Sequence, residues 1–192
     1  MSTSIVVGVA FAVAAFWAVG AYNRLMRLRA RCTEAFVVLS GHLLDYSRIA
    51  KDHLLFLATP ELQGEFDDVE DIPSLLCELQ DGLQTIELAM HNPKGMWWND
   101  DRFQAIGIAG NTLASTWGRL RSMSSDAAGG LAIPEALVRE WDANSMGLKI
   151  SMDRFNGCAA EYNEALAQIP AVLIGKFFQL RPFTLFSIFN EA

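Results

Sequence analysis

The side chains of this 192-residue sequence whose types could do chemistry are three histidines, three cysteines and a few paired acids. His42 and His53 fall on one helical seam, but 11 positions apart they stand about 16 Å from each other along a helix, too far to share one metal ion. His91 precedes Asn92-Pro93, a helix end where an imidazole can favour the carbonyl dipole. Asp67-Asp68 and Asp100-Asp101 lie in connectors or first turns and lack the ligand spacing of a calcium loop or a two-metal centre. Gly107 and Gly110 sit inside an apolar seam, where they permit close helix approach, rather than in a phosphate-cradling loop. Cys32, Cys77 and Cys158 are odd in number and widely spaced, which excludes a zinc pair and a disulfide framework. They fit a reducing compartment. Cys32 and Cys158 are expected at similar height on neighbouring helices, as small apolar thiols in the cytoplasm or as a disulfide in the periplasm. An enzyme built in a helical interior would need inward carboxylates with Glu-x-x-His on two helices, and that set is missing. The expectation is a protein that is not an enzyme, with no catalytic residue, no metal and no cofactor.

The elements that must carry these residues are helical and begin with an apolar one. Hydrophobic residues are 52% of the chain and charged ones 19%, an apolar shift that one membrane helix can produce. A net charge of −7, with no large basic stripe, argues against nucleic acid. Residues 5–22 (IVVGVAFAVAAFWAVGAY) carry no charge and span about 27 Å as a helix, near the lower limit for crossing a bilayer core. Trp17 and Tyr22 lie where amphipathic rings favour the interface, and Arg24, Arg27, Arg29 and Arg31 follow at once. The positive-inside rule then predicts a short N-terminus outside and the bulk of the chain in the cytoplasm. The rival is a cleaved signal peptide ending at Val19-Gly20-Ala21, which lacks a basic n-region and has its charge on the wrong side. Ala10, Ala14 and Ala18 form a small-residue stripe through which two such helices could approach to make a homo-oligomer; alanine is also simply common in short spans.

Four heptad-like seams follow. The first runs Leu25, Leu28, Cys32, Ala35, Leu39, His42, Tyr46, Ile49, His53, Phe56, and Pro60 ends it before an acidic connector. The second starts at the N-cap Asp71 and runs Ile72, Leu76, Leu79, Leu83, Ile86, Met90. The third runs Phe103, Ile106, Gly110, Leu113, Trp117, Leu120, with Ser124 to Gly130 read as a turn. Pro134 opens the fourth, whose later seam is Leu148, Met152, Phe155, Ala159, Tyr162, Leu166, Ile169. Such 3-4 spacing marks helices packed on near-parallel neighbours. The predicted fold is all-α: an N-terminal transmembrane helix (5–22) continuing into a long antiparallel four-helix bundle (23–170), then a Phe-rich tail (171–192). The outer helices are expected at roughly 36 residues each and the middle pair at roughly 20 and 26, so Ile169 should lie beside Asn23, next to the bilayer.

The tail carries Phe177, Phe178 and Phe183 with Lys176 and Arg181, a mixture suited to a membrane interface; folding back to cap the bundle is the alternative. By parity the Trp97-Trp98 loop is also on the membrane side, at the interface or packed under the bundle. Asn156 and Asn163, seven apart, share one flank of the fourth helix beside Phe155 and Tyr162, and Asn23 begins the soluble part of the first. Buried amides of this kind can set helix register; the other role open to them is a polar contact to a partner.

Tyr22-Asn23-x-Leu25-x-x-Leu28-Arg29 with Ala35-Phe36, and Arg154-Phe155-Asn156, Ala159, Tyr162-Asn163-x-Ala165-Leu166, Pro170, Leu173-Ile174 and Phe177, resemble the two ends of the LemA family's soluble region. The match covers about a third of the chain. The resemblance implies an N-terminal membrane helix, the bulk in the cytoplasm, an antiparallel helical bundle and no established reaction; some relatives are associated with magnetosome formation, others with the bacterial membrane. After Phe36 the chain departs from the family's pattern with Leu44-Asp45-Tyr46-Ser47-Arg48-Ile49-Ala50, so a partner contact made there by relatives is not carried over. The expected protein is a single-pass scaffold or adaptor of the bacterial inner membrane. Its partners are the lipid bilayer and unidentified proteins, and the alternative is a lipid-organising protein acting through the tail and Trp loop.

Overall fold

The computed structural model describes residues 2–57, 72–90, 100–126 and 133–186. Among them are five helices and no strand: α1 (Ser2–Leu57), α2 (Ile72–Met90), α3 (Asp100–Asp126), α4 (Glu135–Ala167) and the short α5 (Ala171–Phe177). The acidic connector after Pro60 and the Trp97-Trp98 loop lie outside the described residues.

α1 changes character along its length without a break. Its first third exposes apolar side chains on every side, from Ile5 at 65% to Phe16 at 83%, and holds an 18-residue window of mean hydropathy 2.2 with nothing buried. It is long and apolar enough to cross a membrane. From Leu25 onward the 3-4 seam takes over: Leu25, Cys32, Ala35, Leu39, Tyr46 and Ile49 are all 2% exposed or less. A helix that changes from uniformly apolar to one-sided must change surroundings at that point.

α4 packs on α1 antiparallel, as cross-helix contacts at three levels show. Arg31 meets Glu161 at 2.9 Å, His42 meets Asn144 at 3.1 Å and Arg48 meets Glu140 at 2.5 Å. At the middle level the two helices lie close. Asn144 Nδ2 donates to the His42 carbonyl (3.1 Å) while Asn144 Oδ1 accepts from the ring at Nδ1, and a Cβ on Gly147 would stand 2.6 Å from His42 Cε1. α2 and α3 form a second antiparallel pair: Thr116 donates to Glu78 at 3.2 Å, while Gly82 lies under Leu113. Glu87 of α2 ties this pair to α1, taking hydrogen bonds from Lys51 and from Ser47 (3.1 Å), which lower its carboxyl from its ordinary value. α3 completes the circuit on α4, with Trp117 stacked on Trp141 at 4.4 Å. All four long helices share one buried apolar cluster.

The helix ends depart from expectation at two places. α3 continues through Ser124 and Ser125 to Asp126, where turn chemistry was expected, because the helix keeps its backbone bonds past the last seam residue, Leu120. α4 ends at Ala167 rather than Ile169, since the peptide before Pro170 disfavours helical backbone and Gln168 is already extended at ψ 149°. Ile169, expected to close the seam, is 71% exposed.

Candidate functional site

The residues that set this protein apart from a plain helical pack collect at one end, where α1 leaves its apolar third, α4 stops and α5 begins. Pro170 supplies the turn into α5, its fixed φ and missing N–H being harmless there. α5 stops in a Schellman arrangement: Leu180 N–H donates to the Gly175 carbonyl (2.8 Å) and Gln179 N–H to that of Lys176 (3.4 Å). This places Gln179 in the left-handed region at φ 53°, where glycine is the usual residue. The corner meets α1 near Tyr22, whose ring lies 4.8 Å from that of Phe178. Beside it, a cavity of about 350 Å³ is lined by Phe16, Trp17, Gly20, Ala21 and Arg24 of α1 and by Gln168–Ala171.

Beyond Leu180 the chain is non-helical through Phe186 and runs back along α4. Asn163 donates from Nδ2 to the Phe183 carbonyl and accepts Phe183 N–H at Oδ1, both at 2.8 Å. Asn156 makes the same pair with Phe186, again at 2.8 Å. The spacing explains the pairing. Seven helical residues rise about 10.5 Å, close to the reach of three extended ones, so two amides a heptad apart match two tail residues three apart. Their aromatic neighbours complete the grip: Tyr162 lies edge-on to Phe183 at 5.1 Å, and Phe155 edge-on to Phe186 at 5.7 Å. Phe186 also reaches Phe103 of α3 (4.8 Å) and Phe36 of α1 (6.1 Å).

These contacts correct several expectations. Phe183 is 4% exposed and Phe186 5%, so this part of the tail caps the core and does not face a membrane; its backbone polar groups find partners on α4, which lets it be buried. Asn156 and Asn163 are half-buried and fix the tail instead of setting register between helices. Asn23 is exposed, so it cannot be a buried register amide. Tyr162 is 1% exposed, and burial raises its phenol pKa against the lowering effect of Arg29. Phe177 (81%), Phe178 (51%) and Trp17 (57%) are exposed, as are Arg24 and Arg27, and Tyr22 is half-buried. Ala18 is partly buried against the core of its own chain.

Among the described residues no group of three or more His, Cys, Asp or Glu side chains could hold a metal ion. The Cys32 thiol is pushed up to about 12, first by burial and then by the neighbouring Cys158, and Cys77 is an exposed thiol. Sequence reasoning placed Phe186 in the Phe-rich tail without its Asn156 partner, and it missed Gln179. The signal for Phe186 was present in the matched heptad and triplet spacings; Gln179 gave none, since a left-handed glutamine has no sequence mark. In comparisons with known proteins, no family model, curated protein or solved structure matches this chain.

Proposed function

We propose that this protein is a LemA-like, membrane-anchored scaffold: an antiparallel four-helix bundle held at the cytoplasmic face of a bacterial inner membrane by the apolar third of α1, with no catalytic activity of its own. The observation that carries the reading is the switch within one unbroken helix from a span with nothing buried to a seam whose Leu25, Cys32, Ala35, Leu39, Tyr46 and Ile49 are buried. The two aromatic–Asn pairs of α4 that carry the resemblance share one task, holding the tail on the bundle. The exposed faces of the bundle then present a protein-binding surface at a fixed height above the bilayer.

Crosslinking of the full chain in native membranes, followed by mass spectrometry, tests the scaffold role. Specific protein adducts are expected; adducts with lipid alone would sink it in favour of a lipid-organising protein, a reading that the exposed Phe177 and Phe178 favour. Topology has a built-in probe in the exposed thiol of Cys77. A membrane-impermeant maleimide should label it only after cells are opened, and labelling in intact cells would contradict the cytoplasmic placement.

A further inference from the structure

α5 leaves an apolar stripe uncovered. Ile169, Leu173 and Phe177 recur at intervals of four and are 71, 63 and 81% exposed, with Phe178 beside them at 51%. A contiguous patch of this kind on a folded protein marks a surface that something covers.

Its position identifies the cover. Ile169 and Pro170 share their cavity with Phe16, Trp17 and Gly20, residues inside the unburied apolar span of α1, and Phe178 packs on Tyr22 at the end of that span. The stripe therefore begins at a depth that the span itself defines. Charge points the same way. Residues 16–30 and 168–182 contain Arg24, Arg27, Arg29, Lys176 and Arg181 and not one of the 22 acidic residues, in a chain of net charge −7. Behind α5, Arg29 and Arg181 line a cavity of about 200 Å³ together with Tyr162, Gln179 and Leu180, roomy enough for a phosphate group. Left-handed Gln179 makes the turn that brings Arg181 to the same cavity as Arg29.

We infer that Ile169 and α5 form an in-plane foot, which sinks its apolar stripe into the leaflet beside the anchor while Arg29 and Arg181 hold the phosphate of an anionic phospholipid headgroup. An amphipathic element with aromatics on one side and basic residues on the other binds an anionic leaflet by both area and charge. The foot rests on the membrane-anchored reading of α1, and the test below separates the two. Phe183 and Phe186 contribute nothing to it, because their rings are committed to the core.

The experiment uses the full chain reconstituted in vesicles of phosphatidylcholine and phosphatidylglycerol in equal parts, with a benzophenone amino acid in place of Phe11, Phe177 or Leu185, one at a time. Phospholipid adducts are expected at positions 11 and 177, and none at 185, which is exposed on the clamped tail. Lipid adducts at 11 without any at 177 overturn the foot and leave the anchor standing. Adducts at 177 without any at 11 overturn the anchor reading and show that the foot docks without it. A protein adduct at 177 in native membranes, with no lipid adduct, also overturns the foot. For the headgroup, Arg181→Gln changes an exposed side chain of the cavity. The preference of position 177 for phosphatidylglycerol adducts over phosphatidylcholine adducts should then fall at least about fivefold, and an unchanged preference overturns the headgroup assignment.

Discussion

Asn156 and Asn163 each donate one hydrogen bond and accept one from the same tail residue, which is what a strand neighbour does with its backbone. Replacing Asn163 by Leu removes both of its hydrogen bonds to the buried Phe183 backbone, so the melting midpoint should correspond to a loss of about 1–3 kcal/mol. Asn163→Asp keeps the acceptor for Phe183 N–H but sets a carboxylate against the Phe183 carbonyl, and should cost as much or more near neutral pH; a variant as stable as the parent would contradict the clamp. The buried thiol and phenols add a pH dependence. Cys32 and Tyr46 are raised from 9.0 and 10.0 to about 12 by burial. A raised folded pKa means that stability is whole below the unfolded value and is lost as pH rises through the folded one. Thermal melts in detergent should therefore fall progressively above pH 9, and Cys32→Ala should flatten the first part of that fall. At this scale the aromatic–Asn pairs were legible in the sequence, but their partner was not, because the tail has no periodicity and its pairing appears only when helical rise is compared with extended reach.

Helices were the legible part. The seam of α3 from Phe103 to Leu120 is buried position for position, and α2 spans Ile72 to Met90 as its N-cap and Asn-Pro stop predict. The exceptions have local causes. Leu75 and Trp141 are buried although neither was placed on a seam, because α2 and α4 each touch two neighbours and bury a face wider than a 3-4 stripe. The close approach of α1 and α4 at Gly147 could not be read from a single glycine. Gly147→Ala should cost about 1–3 kcal/mol through overpacking on the His42 ring, and His42→Ala in the same chain should return part of it; additive losses in that double-mutant cycle would refute the contact. At the end of α5, Gln179→Gly should stabilise the protein by up to about 1 kcal/mol, since it removes the cost of a left-handed side chain. A lower melting temperature would mean that the Gln179 side chain holds more than its backbone does.

On the scale of the molecule, the helices do not match in length, and the tail makes up the difference. α2 and α3, at 19 and 27 residues, cannot cover the whole of the α1–α4 pair, and Phe103 near the start of α3 is the last ring that they supply on this side. Phe186 takes over beside it, so Phe36, Phe103, Phe155 and Phe186 form one cluster from three helices and the tail. Removing residues 181–192 deletes, among others, the two buried rings of Phe183 and Phe186, worth about 1.5–3 kcal/mol each, out of a total near 5–15 kcal/mol for an ordinary domain. The truncated chain should melt far lower and bind a hydrophobic dye, and an unshifted melt would show that the tail is decoration. That the tail was assigned to core or membrane with equal reason from sequence follows from its composition: phenylalanine suits both, and only the amide partners on α4 decide between them.

α1 is unbroken from Ser2 to Leu57, and that makes it a lever. Its 56 residues form a rod about 84 Å long, of which the part beyond Arg24 is roughly 50 Å. Membrane helices answer a change in bilayer thickness by tilting. With no hinge between span and seam, a tilt of about 10° about the corner at Pro170 would swing the far end of the rod sideways by roughly 9 Å. Thickness in the bilayer would then be reported as position at the distal surface, a gauge whose needle is the helix itself; label-to-label distances in vesicles of short and long acyl chains would show whether it moves.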